Sequence, residues 1–380
     1  MKSNDENSSY RVIYISSSEY PSKSANSVQV VKQSNAFANI GYDVTVLGKS
    51  KLKITTSNEV LDIKEYYGVS SNVKIKLMDS MWFFPDVFRS ISYPFWIAFN
   101  LRRQNDQIIY GRHVLGLLFS CIFCKPITLV YECHGPPSLL EYIGLRVLIM
   151  TRRLDRIIVI STALKRILLA KYPIFRKINI IIAHDGCDAP ALMHSNQYNL
   201  SVGYVGSFYR GRGLELIAKI ATRFPKILFH IIGGTLAELQ QLLGGATPPN
   251  MIIHGRIPPA KLGSYFDLFN VALAPYGKIT EVAGGGNTVE YMSPLKIFEY
   301  MQYGKAIIAS DLPVLREILE DGVNAVLAKP DDLDDWCRSM ELIQSYDLRS
   351  KLGSNAMEYA REKYTWKARA NIVLDRLIYE

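Results

Sequence analysis

The sequence predicts an α/β fold of two Rossmann-like domains facing each other across a cleft, and three observations carry that prediction. Short apolar runs alternate with stretches of helical periodicity, as parallel strands buried on both faces and their crossover helices do. The series begins at Val12 and begins again at Val202; between them Asp188–Asn199 loses periodicity and carries Pro190, Asn196 and Asn199. A length of 380 residues suits two domains at roughly 150 residues each. The expected boundaries are 1–190 for the first domain, 191–200 for the linker and 201–362 for the second. A closing helix over 363–380 is expected to cross back to the first domain.

The first strand is Val12-Ile-Tyr-Ile15, followed by a polar loop from Ser16 to Ser27 and a helix through Val28, Val31, Phe37 and Ile40, closed by Gly41. Val44-Thr-Val-Leu47 completes a βαβ unit, and the loop after such a first strand is where α/β sheets place ligands. Further strands are expected at Gln107–Tyr110, Ile127–Tyr131, Arg156–Ile160 and Ile178–Ile182. In the second half they fall at Val202–Val205, Ile227–Ile232, Met251–Ile253, Val271–Pro275 and Ala306–Ala309, with helices at Leu214–Arg223 and Pro294–Tyr303.

Composition excludes several classes. A hydrophobic content of 48% with 21% charged residues is that of a globular protein, not a disordered chain, a collagen-like fibre or a disulfide scaffold. Five cysteines with one close pair, Cys121 and Cys124 in CIFC, read as buried thiols before they read as a zinc or redox site. The polar opening MKSNDENSSYR lacks a secretory pattern, and the uncharged stretches Ser90–Leu101 and Val114–Cys124 fall short of the roughly 20 residues a bilayer span needs. A cytoplasmic chain is expected. The net charge of +9 is not evenly spread: residues 1–195 carry 24 Lys and Arg against 15 Asp and Glu, and residues 196–380 carry 20 against 20. The first half therefore faces something anionic, or is merely kept soluble by it. No nucleic-acid motif is present.

The chemistry concentrates in Ser293-Pro-Leu-Lys-Ile-Phe-Glu-Tyr-Met-Gln-Tyr-Gly304. Ser293 reads as the N-cap, Pro294 as the first helical residue and Gly304 as the residue past the last turn. The free amides near Leu295 and Lys296 then point out of a helix N-terminus, where an anion is favoured. Lys296 is either a ligand for that anion or a solvated lysine. Glu299 lies one turn beyond Leu295 and faces the same way, placed to accept hydrogen bonds from sugar hydroxyls.

The run SPLKIFEYMQYGKAIIASDLPVLREILEDGVNAVL resembles the donor-binding segment of the family 4 glycosyltransferases, which have the GT-B fold. The resemblance implies that this helix N-terminus holds the diphosphate of a nucleotide sugar, UDP- or GDP-linked, and that Glu299 binds the ribose. Gly203-Tyr-Val-Gly-Ser-Phe-Tyr-Arg-Gly-Arg-Gly-Leu214 is similar to the family's strand and loop entering the second domain, which gives Gly206, Ser207 and Arg212 to the donor and Arg212 to its diphosphate. By the same likeness the backbone of Gly255-Arg256-Ile257 contacts the nucleobase. Pro21-Ser-Lys-Ser-Ala-Asn-Ser-Val28 resembles the loop near donor and acceptor, which singles out Ser24, Ala25 and Asn26. Arg112 either pairs with an anionic acceptor or caps a helix. Tyr131-Glu-Cys-His-Gly-Pro136 resembles the strand end whose histidine, here His134, lies beside the reacting sugar. Ala183-His-Asp-Gly-Cys-Asp188 resembles the closing strand and turn before the linker.

Two positions depart from the family. The first of its two glutamates would fall near Tyr291, with Glu290 one place off, and Ser207 stands where many relatives carry an arginine. Arg212 and Lys296 must then supply most of the side-chain charge on the diphosphate.

Breaking the bond from an anomeric carbon to a diphosphate puts charge on the leaving group, which a metal or fixed cations must stabilise. The acid cluster Asp331-Asp-Leu-Asp-Asp335 sits before Trp336 at an expected helix start, where acids complement the dipole, so no metal is expected. No carboxylate pair suited to double displacement is identified, so retention, which the resemblance implies, is expected through same-face attack with a phosphate oxygen taking the proton. Gly284-Gly-Gly-Asn-Thr288 is a second loop able to approach phosphates.

The aromatic stretch Met81–Asn100, followed by Arg102 and Arg103, is either a core helix pair or a segment resting on anionic lipid. The second reading brings a saccharide or lipid-linked saccharide acceptor at the inner face of a membrane, in cell-surface glycan synthesis. Two other classes stay open: a nucleotide-sugar enzyme such as an epimerase, and a dinucleotide oxidoreductase. Against the oxidoreductase, the first strand leads into Ser16-Ser-Ser-Glu with no G-x-G-x-x-G turn.

Overall fold

A computed structural model of the chain describes residues 10–22, 24–50, 63–69, 73–78, 86–101, 107–123, 128–189, 199–279 and 287–375, with 86–91 as backbone alone. Contacts divide it into two compact units. The first holds the described residues up to Val159, Lys165–Ala183 and the stretch from Arg369; the second holds Ile160–Leu164 and His184–Ala368.

The first unit is built on seven parallel strands: β1 (Arg11–Tyr20), β2 (Asp43–Ser50), β3 (Val73–Met78), β4 (Gln107–Gly111), β5 (Thr128–Cys133), β6 (Arg156–Val159) and β7 (Asn179–Ile182). Their order is β3-β2-β1-β4-β5-β6-β7. The order reverses between β1 and β4, which pair in parallel from Arg11↔Gln107 to Ile15↔Gly111, and open α/β sheets bind ligands at the carboxyl ends of strands at such a switch point. β4 and β5 are buried along their whole length, which is why they read as unbroken apolar runs.

The second unit repeats the scheme with β8 (Ser201–Val205), β9 (Leu228–Ile232), β10 (Met251–Gly255), β11 (Val271–Ala274), β12 (Ala306–Ser310) and β13 (Val326–Ala328), all parallel, in the order β10-β9-β8-β11-β12-β13. Its sheet separates two cores. Val271 and Leu273 of β11 join Val202, Phe229 and Trp336 on one side. Ala272 and Ala274 join Phe298, Tyr300 and Leu315 on the other. The switch point lies between β8 and β11.

Several local expectations are corrected. β1 continues through Ser16 to Tyr20 where a loop was expected: Ser16 Oγ accepts from the Ser18 amide and the Tyr20 hydroxyl within a register shift, and the strand then resumes against β2 at Glu19↔Lys49 and Tyr20↔Ser50. β3 and β13 have no counterpart in the sequence reading; β3 alternates as Val-Lys-Ile-Lys, an edge strand wet on one side. The helix expected at Pro294–Tyr303 runs Leu295–Gln302 with Pro294 as N-cap. Ser293 is not the cap; its hydroxyl accepts from the Asp185 amide at 2.9 Å. The helix Leu214–Arg223 stands where expected. Most of the linker (190–198), Cys124 of the CIFC pair, Ile127, Met81–Pro85, Arg102, Arg103 and Gly284–Gly286 lie outside the described residues. Among the described residues no helix is long and apolar enough to cross a membrane.

Candidate active site

In the second unit the carboxyl ends of β8, β9 and β10 lie side by side. The Gly206 amide donates to Ile232 O at 2.9 Å, and the Gly233 amide to Gly255 O at 2.7 Å. The loop from β8 reaches the helix Leu214–Arg223 through Gly213, whose φ of +79° is left-handed and whose missing Cβ leaves room for the Pro275 carbonyl. That turn sets Arg212 beside the end of β11. The helix Leu295–Gln302 starts close by, and no side chain caps its first turn. Its free amides present a partial positive charge to an anion.

Two cations converge there. Lys296 is buried, its Nζ 4.1 Å from the centre of the Tyr204 ring and 4.7 Å from that of Tyr276. The Arg212 guanidinium lies 5.5 Å from the same Tyr276 ring. Neither Lys296 Nζ nor Arg212 Nε, both buried, has a hydrogen-bond partner among the described residues. Burial, and then the Arg212 charge, push the Lys296 ammonium well below its ordinary value, while Glu299 pulls it back up. A Cβ on Gly206 would stand 3.3 Å from Lys296 Nζ, so the glycine keeps this space open. The ring faces hold the cations in place but supply no hydrogen-bond acceptor.

Around this centre the remaining expected donor residues take varied places. Leu295 and Pro294 form the helix start, and Glu299 is half-buried one turn along. Ser207 is exposed, and its carbonyl accepts from the Tyr204 hydroxyl at 3.2 Å. Gly255 takes a φ of +78° at the end of β10, and Ile257 packs against the second core. The Arg256 side chain turns to Glu238, the acid of the capping box that starts the helix Leu236–Leu243. Glu290 is exposed in the turn before Met292, and the Tyr291 carbonyl accepts from Ser161 Oγ at 2.8 Å. In the acid cluster Asp332 caps the helix Leu333–Leu342, and Asp335 accepts from the Lys329 amide and pairs with Arg338.

The first unit gathers its own residues at the ends of β1, β4 and β5. Ser24 caps the helix Ala25–Asn39 by accepting from the Ser27 amide. Ala25 is exposed on its first turn, and Asn26 accepts from Arg112. Arg112, after β4, also donates to Gln29 at 3.2 Å. His134, after β5, bonds through Nε2 to Glu132 Oε1 at 2.7 Å.

Glu132 was not singled out from the sequence. Wholly buried in β5, it also accepts from Tyr14 at 2.6 Å, Gln29 at 2.6 Å and Arg369 at 2.8 Å. Arg369 donates in addition to Gln33 at 2.6 Å. Burial alone would raise the Glu132 carboxyl; the Arg369 charge and the His134 contact outweigh it and hold it well below the usual carboxylate range. His134 goes the other way: burial, then the charge of Arg112, lower it to about 4 against the pull of Glu132. The ring is neutral at pH 7. An acid in the middle of an otherwise apolar strand, Thr-Leu-Val-Tyr-Glu-Cys, is the signal that marks this position.

Comparisons with known proteins bear on the family and the fold. Residues 27–188 match the model of glycosyltransferase family 4, and residues 199–344 that of the group 1 glycosyl transferases. An uncharacterised glycosyltransferase of Methanocaldococcus jannaschii is 23% identical over 80% of this chain and 84% of its own length. Among solved structures, sucrose-phosphate synthase of Thermosynechococcus elongatus aligns over 95% of this chain and 96% of its own, at 15% identity and a TM-score of 0.68. HepE of Anabaena, in complex with UDP and glucose, aligns over 96% and 98%, at 14% identity and a TM-score of 0.68. TarM of S. aureus, in a complex that includes UDP, aligns over 97% and 100%, at 11% identity and a TM-score of 0.71. These matches do not favour an epimerase or an oxidoreductase.

Proposed function

The chain belongs to the family 4 glycosyltransferases and has the GT-B fold, and from that premise we propose that its second unit binds a nucleoside diphosphate sugar, UDP- or GDP-linked, by the diphosphate. One observation carries the reading. Lys296 is buried with no hydrogen-bond partner among the described residues, beside Arg212 and an uncapped helix N-terminus. A buried ammonium without an acceptor is costly, and a diphosphate supplies the acceptors. UDP in the HepE and TarM structures is consistent with such a partner.

In the proposed reaction the bond from the anomeric carbon to the diphosphate oxygen breaks, and its electron pair leaves with the diphosphate. Arg212, Lys296 and the amides near Leu295 stabilise that charge as it develops. A hydroxyl of a saccharide or lipid-linked saccharide attacks from the face being vacated, and its proton passes to a diphosphate oxygen. The sugar keeps its anomeric configuration. Glu299 accepts from the ribose hydroxyls, the backbone of Gly255–Ile257 flanks the base, and neutral His134 accepts a hydrogen bond from a sugar hydroxyl. The activity so assigned is that of a hexosyltransferase working without a metal in cell-surface glycan synthesis.

Thermal shift against a panel of nucleoside diphosphates identifies the base. Nucleoside diphosphate release with and without saccharide acceptors tests the transfer. Arg212→Ala should lower acceptor-dependent release by on the order of 10²-fold; unchanged release would remove Arg212 from the leaving-group site.

A further inference from the structure

More than half of the large apolar side chains exposed among the described residues lie on three helices of the first unit: Asp86–Leu101, Val114–Phe123 and Leu139–Met150. The densest stripe is on the last. Leu139, Leu140, Ile143, Val147 and Met150 stand on one side of it, with Leu139 and Leu140 exposed at 74% and 71%. Successive steps of 100° put these five within about a third of the helix circumference. The opposite side is apolar as well, with Leu145, Leu148 and Ile149 buried in the unit. The helix is thus apolar on two opposite sides, of which only one is covered by the unit. The neighbouring helix also exposes Leu115, Ile122 and Phe123, and the two helices pack so closely at their contact that a Cβ on Gly144 would come within 2.8 Å of Val114.

The exposed charge of this helix and of the turn after it is mainly positive, with Asp155 an exposed acid just beyond the turn. Arg146 is exposed between Ile143 and Val147, and Arg152 and Arg153 are exposed in the turn that ends the helix. The single acid of the helix, Glu141, is engaged by the Ser138 amide and hydroxyl at its N-terminus. We propose that the face of Leu139–Met150, with its three arginines, docks the first unit onto an anionic lipid bilayer, the apolar stripe entering among the acyl chains and the arginines meeting the headgroups. This differs from the sequence expectation. Of the aromatic stretch, Tyr93, Ile97 and Ala98 are core, and Phe95 and Phe99 are exposed. The proposal stands apart from the donor-site reading, because vesicle binding is measured without turnover.

Flotation with vesicles of phosphatidylcholine alone, or mixed with phosphatidylglycerol, tests it. The protein should float with the anionic vesicles and be released as salt rises. Replacing Arg146, Arg152 and Arg153 by Gln should weaken partitioning by on the order of 10²-fold. Leu139→Gln with Leu140→Gln and Ile143→Gln should abolish it. All six side chains are outside the core, so the thermal midpoint should be kept, and the arginine variant decides if the apolar one misfolds. Equal flotation with neutral vesicles, flotation of neither, or full binding by the arginine variant would overturn the proposal. So would a dimer on gel filtration that the glutamine changes dissolve, since the face would then seat a second copy of the chain.

Discussion

Each unit buries a charge at the carboxyl end of its sheet, and the two are satisfied in opposite ways. Glu132 in the first unit accepts from Tyr14, Gln29, His134 and Arg369, all within 2.8 Å. Lys296 in the second has two tyrosine rings, a cation of its own sign nearby and no hydrogen-bond partner among the described residues. A buried charge with all its partners in the chain is self-sufficient: it rigidifies what surrounds it and needs no ligand. A buried charge lacking them costs stability in the free protein, and a ligand that brings the missing acceptors is bound the more tightly for it. The same contrast appears at the helix starts. Ser24 caps the first unit's helix, and the second unit's helix at Leu295 is left without a side-chain cap.

The largest effect should come from breaking the satisfied cluster. Arg369→Met leaves Glu132 buried beside His134 without its cation, and loss of one partner of a buried pair costs about 3–5 kcal/mol. Urea unfolding measures it, and Glu132→Gln added to Arg369→Met should restore part of the loss. If Arg369→Met costs nothing, Glu132 is not held by this cluster and the contrast between the units fails. Next comes Lys296→Met, for which the contrast demands the reverse. Melting temperature should hold or rise, because an unpartnered ammonium is removed. Nucleoside diphosphate release should fall by about 10²–10³-fold, since stabilisation of the leaving group is lost. A variant that loses stability but not turnover would make Lys296 a structural residue.

The two clusters were not equally legible in the sequence. Arg212 and Lys296 sit at loop–helix junctions whose glycines, proline and helical periodicity are local signals, and the fold needed only to bring two such junctions to one sheet edge. Glu132 and Arg369 are separated by 237 positions, and nothing local to Arg369 distinguishes it from a surface arginine on an amphipathic helix. Ser293 shows the converse failure: Ser-Pro before an apolar run has the signature of a cap, but the Asp185 amide takes the hydroxyl. Alternation of Lys with apolar residues hid β3, because it reads as a polar segment until β2 supplies the partner on its inner edge. The two parallel sheets were legible because their central strands are buried on both faces and leave unbroken apolar runs.

Acid acts on the first unit through His134. His134 has a value near 4 in the folded protein against 6.5 in the unfolded chain, so above pH 6.5 its contribution is complete. As pH falls from 6.5 toward 4 the unfolded chain takes up a proton that the folded one refuses, and stability drops by up to about 1.4 kcal/mol per pH unit. His113, lowered to about 4 by burial and then by Lys49, adds to the same window. His134→Asn should remove one proton from the slope of urea midpoint against pH. Lys296 imposes its cost already at neutral pH, because its ordinary value of 10.5 lies far above and the folded value is lower. An unchanged slope in His134→Asn would mean that the ring is not held neutral.

The smallest effects belong to the helix starts, and they should differ in kind. Ser24→Ala removes the oxygen that accepts from the Ser27 amide and should cost about 1 kcal/mol of stability, with nucleotide binding unchanged. Pro294→Ser places a capping hydroxyl at the helix start that has none. That hydroxyl would satisfy an amide otherwise left for the ligand, so stability should hold or rise and nucleoside diphosphate affinity should fall a few-fold. Calorimetric titration separates the two variants. If both change only stability, the helix at Leu295 does not use its free amides to hold an anion, and the positive charge of the site comes from Arg212 and Lys296 alone.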